Sequence, residues 1–87
     1  MKGFVYILKD DKNIFYIGST IDLKRRLNHH TSGHTHTTKR MKNVHLVFQQ
    51  EFQSLDIARK IERKIKRLKR KDYIEKIVSE GYIKMRL

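Results

Sequence analysis

Five side chains in this sequence carry the groups that phosphodiester hydrolysis needs: the phenols of Tyr6 and Tyr16, the guanidinium of Arg26, the imidazole of His30 and the carboxylate of Glu62. Such a reaction takes a nucleophilic water, a base for its proton, cations for the charge that builds on the phosphorus oxygens, and help for the departing oxygen. A divalent cation supplies several of these at once. Glu62 is the candidate ligand. It follows Ile61 and lies within helical reach of Ala58 and Ile65, so its carboxylate is expected where an apolar stripe meets solvent. One bond to a hard ion such as Mg2+ leaves the other octahedral positions to waters and a substrate phosphate. The competing structural role for Glu62 is an ion pair along its own helix, with Lys66 or Arg59.

An arginine suits a pentacovalent phosphorus centre because its planar fork donates two hydrogen bonds and stays charged at any working pH. Arg25 and Arg26 are neighbours that point about a hundred degrees apart on a helix. Whichever faces away from the phosphate is a solvated or backbone-contacting residue. The tyrosines are more demanding, since a free phenol titrates near ~10 and needs cations beside it to act as a base near neutrality. Arg26, a metal and nearby lysines could provide them, and His30 could hydrogen-bond a tyrosine or take its proton. Which of Tyr6, Tyr16 and His30 accepts the proton first stays open. Cross-strand tyrosines also stabilise hairpins with no chemistry involved. The histidines His29, His30, His34 and His36 invite a zinc reading, but no cysteine assists and their spacing matches no familiar zinc module. A basic loop touching phosphate backbone is expected there instead, with Lys39, Arg40 and Lys42 supplying charge.

The elements that must position these groups are legible as changes of periodicity. The β-rich runs Phe4 to Leu8 and Ile14 to Ile17 flank a polar stretch, Lys9 to Asn13, which predicts a hairpin. If Leu8 opposes Ile14, then Tyr6 opposes Tyr16 and both phenols emerge side by side, whereas a one-residue slip would separate them. Gly18 either breaks the second strand or marks a place where backbone approaches substrate closely. Asp22 can cap a helix through Leu23, Arg26, Leu27 and His30 that Ser32-Gly33 stops. Arg26 and His30, four apart, share a face of it, and Leu23 and Leu27 are expected to pack on the sheet. Residues 31–43 read as a polar, basic loop. A third strand follows from Val44 to Phe48, extending at most to Phe52. Ser54 starts the longest helix, with Ile57, Ala58, Ile61, Ile65 and Leu68 inward, and a last helix runs from about Asp72 to Ser79, with Ile74, Ile77 and Val78 inward and Gly81 ending it.

The 87 residues allow one small domain, residues 1–87, with a thin core. There is no cysteine for disulfides or thiolate metal sites. No apolar stretch reaches the ~20 residues that a bilayer demands, and the first residues lack the apolar segment of a signal peptide, so a cytoplasmic protein is expected. Lys and Arg number 21 against 9 Asp and Glu, a formal charge of +12, which favours a polyanion through counterion release and long-range steering. The basic run containing Arg59, Arg63, Lys66, Arg67, Lys69, Arg70 and Lys71 is dense enough for a phosphate track, with Lys66 and Arg70 as its candidate contacts. Charge alone does not separate a nuclease from a non-catalytic nucleic-acid-binding module.

The order Val5-Tyr6-Ile7, Tyr16-Ile17-Gly18, Arg26, His30, Glu62 resembles the GIY-YIG nuclease family, and its small stand-alone members most of all. The second motif is matched letter for letter; the first reads VYI, keeping the tyrosine in place. The likeness runs from Phe4 to about Leu68 and includes the helix segment with Ala58, Arg59, Glu62, Ile65, Lys66 and Leu68. In the family motif the arginine lies eight residues after the YIG glycine, which selects Arg26 over Arg25. The resemblance implies an α/β chain of the α+β kind, a three-stranded antiparallel sheet flanked by helices. It further implies active-site roles for Tyr6, Tyr16, Arg26 and His30, a Glu62-bound Mg2+ or Mn2+, and DNA as substrate, single-stranded or branched forms included. Some members carry an asparagine well after the glutamate; this chain has none beyond Asn43.

Overall fold

The computed structural model describes residues 1–31 and 43–84, leaving out the side chains of His30 and Thr31. Its elements are β1 (Gly3–Lys9), β2 (Phe15–Thr20), α1 (Leu23–Thr31), β3 (His45–Phe52), α2 (Leu55–Leu68) and α3 (Lys71–Glu80). The strands form one antiparallel sheet in the order β2-β1-β3, which is the α+β arrangement expected.

The central position of β1 explains its unbroken apolar run, because both of its faces are covered. Val5, Tyr6, Ile7 and Leu8 are each at most 1% exposed. Alternation sends Val5 and Ile7 to one side, where with Ile17 and Phe48 they meet Ala58, Ile61 and Ile65 of α2 and Ile77 of α3. Tyr6 and Leu8 point to the other side. Phe4 shares that side, and there it lines a cleft together with Leu23 of α1. The sheet is therefore packed by α2 and α3 on one face and approached by α1 on the other.

The hairpin register differs from the expected one by two residues. Leu8 opposes Tyr16 and Tyr6 opposes Gly18. The cause is Asp10, buried at 3% exposure, whose Oδ1 accepts the backbone N–H groups of Lys12 at 2.9 Å and Ile14 at 2.8 Å. This Asx arrangement draws Ile14 out of the strand into the turn, where it is exposed, and Asn13 takes the left-handed conformation that asparagine tolerates. A shift of two preserves the alternation, so the tyrosines keep a common face but sit diagonally rather than directly opposite. On the other edge of β1, Ile7 pairs with Phe48 and Leu8 with Leu46, so Val47 is the extra residue of a β-bulge.

The helices begin where polar caps stand. Asp22 Oδ1 accepts the Arg25 N–H at 3.1 Å, and Ser54 Oγ accepts the Ile57 N–H at 3.2 Å. Helix α2 stops at Lys69, which is left-handed with φ 49°, and Leu68 immediately before it, in the last helical position, is 42% exposed rather than buried as expected. Gly81, at φ 81°, ends α3. Beyond it Ile83 enters the core, its N–H donated to Gln50 Oε1 at 2.7 Å. Thr31 belongs to α1, and the rest of the predicted loop up to residue 42 lies outside the described residues. Among the described residues no helix is long and apolar enough to cross a membrane.

Candidate active site

The central strand sends Tyr6 toward the α1 side, and the residue opposite it is glycine. That smallness lets the phenol ring lie across the β2 backbone: a Cβ on Gly18 would stand 2.5 Å from Tyr6 Cζ and 3.0 Å from Cε1. The phenol thus extends over β2, an edge strand, toward its outer side. Tyr16 flanks it, with ring centroids 6.3 Å apart and planes tilted by 37°. From the opposite face α2 brings Glu62, 17% exposed at its side chain. Ser19, turned toward α2 by strand alternation, donates its hydroxyl to Glu62 Oε1, and Lys66 Nζ lies 2.7 Å from Oε2. The same ammonium stands 5.8 Å from the centre of the Tyr16 ring. Arg26 arrives from α1. Together with Arg59 and Arg63 of α2 these residues line a cleft of about 270 Å³ around the outer edge of β2.

Burial pushes the Tyr6 phenol well above its ordinary pKa; the neighbouring Tyr16 and Glu62 add to the rise, while Arg26 opposes it. Tyr6 is accordingly a neutral hydrogen-bonding group across the physiological range. Arg26 Nε is buried and has no hydrogen-bond partner among the described residues. A buried donor left without an acceptor costs about 1–3 kcal/mol, a cost that a phosphate oxygen in the cleft would remove. Three guanidinium groups and the Lys66 ammonium surround a single carboxylate, so the cleft attracts anions.

Among the described residues there is no cluster of three or more His, Cys, Asp or Glu that could cage a metal. The oxygen donors that are present, the Glu62 carboxylate with the Ser19 hydroxyl and two phenols beside it, are hard ligands of the type that Mg2+ and Mn2+ take. They fit an ion held by one carboxylate and otherwise by water and phosphate. Such an ion would have to share Glu62 with, or take it from, Lys66.

Of the residues singled out from sequence, the fold brings Tyr6, Tyr16, Gly18, Arg26 and Glu62 to one cleft. Lys66 lies beside it, occupied in the i to i+4 pair with Glu62 that was the competing structural role. Arg70 is engaged elsewhere, its Nε 3.2 Å and Nη2 2.7 Å from the Asp72 carboxylate, which it holds below the usual range by those hydrogen bonds. His30 lies on α1 with its side chain outside the described residues, as are Lys39, Arg40, Lys42, His34 and His36 altogether. Sequence reasoning missed Ser19, gave Arg63 only as a member of a basic run, and gave Arg59 as a member of that run and a possible ion-pair partner of Glu62 but not as a lining residue of the cleft. The signal for the arginines was available: Arg59, Glu62 and Arg63 are spaced i, i+3, i+4 and share a helix face.

A family model, that of the GIY-YIG catalytic domain, matches residues 2–77, which include every lining residue of the cleft. The chain belongs to the GIY-YIG family. Among its GIY-YIG relatives, a UPF0213 protein of Streptococcus pneumoniae serotype 4 (strain ATCC BAA-334 / TIGR4) is 37% identical over 70 residues, which cover 79% of this chain and 71% of that protein. The solution NMR structure of a UPF0213 protein from Bacillus halodurans has the same fold, with a TM-score of 0.59 and 30% identity over 93% of this chain and 87% of that one.

Proposed function

We propose that this GIY-YIG chain is a metal-dependent endonuclease that hydrolyses DNA phosphodiester bonds. The observation that supports it most is the meeting of Tyr6, Tyr16, Arg26 and Glu62 in one cleft with the Arg26 Nε buried and unpartnered among the described residues. In this reading the guanidinium takes the phosphate oxygens and stabilises the charge that grows on them as water attacks in line. Glu62 would hold Mg2+ or Mn2+, its carboxylate oriented by the Ser19 hydroxyl. When bound, such an ion polarises the phosphoryl oxygen and supports the leaving oxygen. Tyr6, kept neutral by burial, orients the water by hydrogen bonding. Tyr16, with Lys66 above its ring, and His30 are the groups that accept the proton. Arg59 and Arg63 hold the strand by its backbone charge.

The test is cleavage of single-stranded, nicked, branched and duplex DNA, and of RNA, with Mg2+ or Mn2+ and with chelator. Ion-dependent DNA cleavage that Glu62→Gln abolishes is expected. Salt-sensitive binding without cleavage on any substrate would instead make the chain a non-catalytic nucleic-acid-binding module. Cleavage indifferent to chelator and to Glu62→Gln would refute the mechanism.

A further inference from the structure

A second cleft, of about 330 Å³, opens on the far side of Arg26 and is lined by Thr20, Ile21, Asp22, Arg25 and His29. Arg26 is a wall of both clefts. Arg25 and His29 are four apart on α1 and therefore present their side chains on one helix face. Ile21 is 46% exposed, apolar surface in a cleft that also holds two arginines and a histidine. The one acidic group here, Asp22, is tied into the helix start: its Oδ1 takes the Arg25 N–H at 3.1 Å while its own N–H goes to Thr20 Oγ1 at 3.1 Å. An exposed apolar side chain in one cleft with two nitrogen-bearing side chains, adjoining the guanidinium proposed above to take phosphate, is what a nucleotide one step along a strand requires: a face for sugar or base and donors for phosphate.

We propose that this α1-side cleft is a subsite for the nucleotide next to the cleaved linkage, with Arg25 and His29 on its phosphate and Ile21 against its sugar or base. The proposal rests on the phosphodiester reading of the neighbouring cleft but concerns binding, so it is testable apart from turnover. In a Glu62→Gln background, the affinity for a fluorescent single-stranded DNA oligonucleotide is measured across a salt series, with Arg25→Ala, Ile21→Ala and, as a matched charge control on α3, Lys76→Ala. Arg25→Ala is expected to weaken binding on the order of tenfold and to reduce the salt slope by about one phosphate equivalent. Ile21→Ala should weaken binding several-fold with the slope unchanged, as loss of an apolar or stacking contact does. Arg25→Ala no worse than Lys76→Ala, or an Ile21→Ala effect that is absent or salt-dependent, would overturn the subsite. Absence of cleavage by the wild type would defeat the endonuclease reading and leave the binding result to decide this one.

Discussion

Gly18 decides whether Tyr6 reaches the cleft. Any side chain there meets the phenol ring, so Gly18→Ala is expected to lose DNA cleavage and to lower stability by about 1–3 kcal/mol in a urea melt, the usual range for overpacking. An unchanged midpoint would mean that the ring does not lie where the structure has it. Tyr6 itself makes a pH prediction. Its folded pKa is raised above the unfolded value of about 10, so its contribution to stability is complete below that pH and is lost as pH climbs from there toward the folded value. Tyr6→Phe, which removes the titrating hydroxyl and keeps the ring, should flatten the alkaline fall in stability followed by denaturant melts above about pH 10. A third residue-scale expectation concerns Lys66, whose ammonium sits on Glu62 Oε2. Lys66→Ala frees that oxygen and removes a nearby positive charge, so Mn2+ binding measured by calorimetry without DNA should tighten several-fold; weaker binding would show that Lys66 holds the carboxylate in its metal-binding position instead.

At the scale of elements, local chemistry sets most boundaries. The Ser54 hydroxyl satisfies a helix-start N–H, and Ser54→Ala should cost about 1 kcal/mol. Ile61→Ala, at 1% exposure, should cost about 2–5 kcal/mol, whereas Leu68→Ala at the open end of the same helix should stay within about 0.5 kcal/mol in the same thermal or urea melts. The contrast between Ile61 and Leu68 shows what sequence periodicity conveys. It placed the helices, the Asp22, Ser54 and Gly81 boundaries and the three strands, except that β2 runs on through Gly18 to Thr20, paired with β1, where a break at Gly18 was one expectation; periods of two and 3.6 and the capping preferences are local properties, whereas strand pairing is not. It did not convey the hairpin register, which the buried Asp10 carboxylate sets through two backbone contacts, nor the exposure of Leu68 at the end of α2, nor the docking of Ile83 against Gln50. The same division runs through the cleft. Motif spacing pointed to Tyr6, Tyr16, Arg26 and Glu62, while Ser19 is drawn in only by packing of β2 against α2, a contact between segments 43 residues apart.

For the whole molecule the governing quantity is charge. A formal +12 over 87 residues makes association with polyanions strong at low salt whatever the catalytic groups do, so affinity alone says little about the cleft. What discriminates is the placement of particular cations. Removing Arg59 and Arg63 together should lower the salt slope for DNA binding by about two phosphate equivalents. The most direct measurement of the central claim is single-turnover cleavage of one DNA substrate in Mg2+ by the wild type, Arg26→Ala and Glu62→Gln, with affinity determined in parallel. Cleavage should fall at least about a hundredfold in both variants while affinity stays within a few-fold, the pattern of groups that act chiefly on the transition state. Cleavage that survives either substitution, or that falls only as far as binding does, would contradict a phosphodiester-hydrolysing centre at the edge of β2.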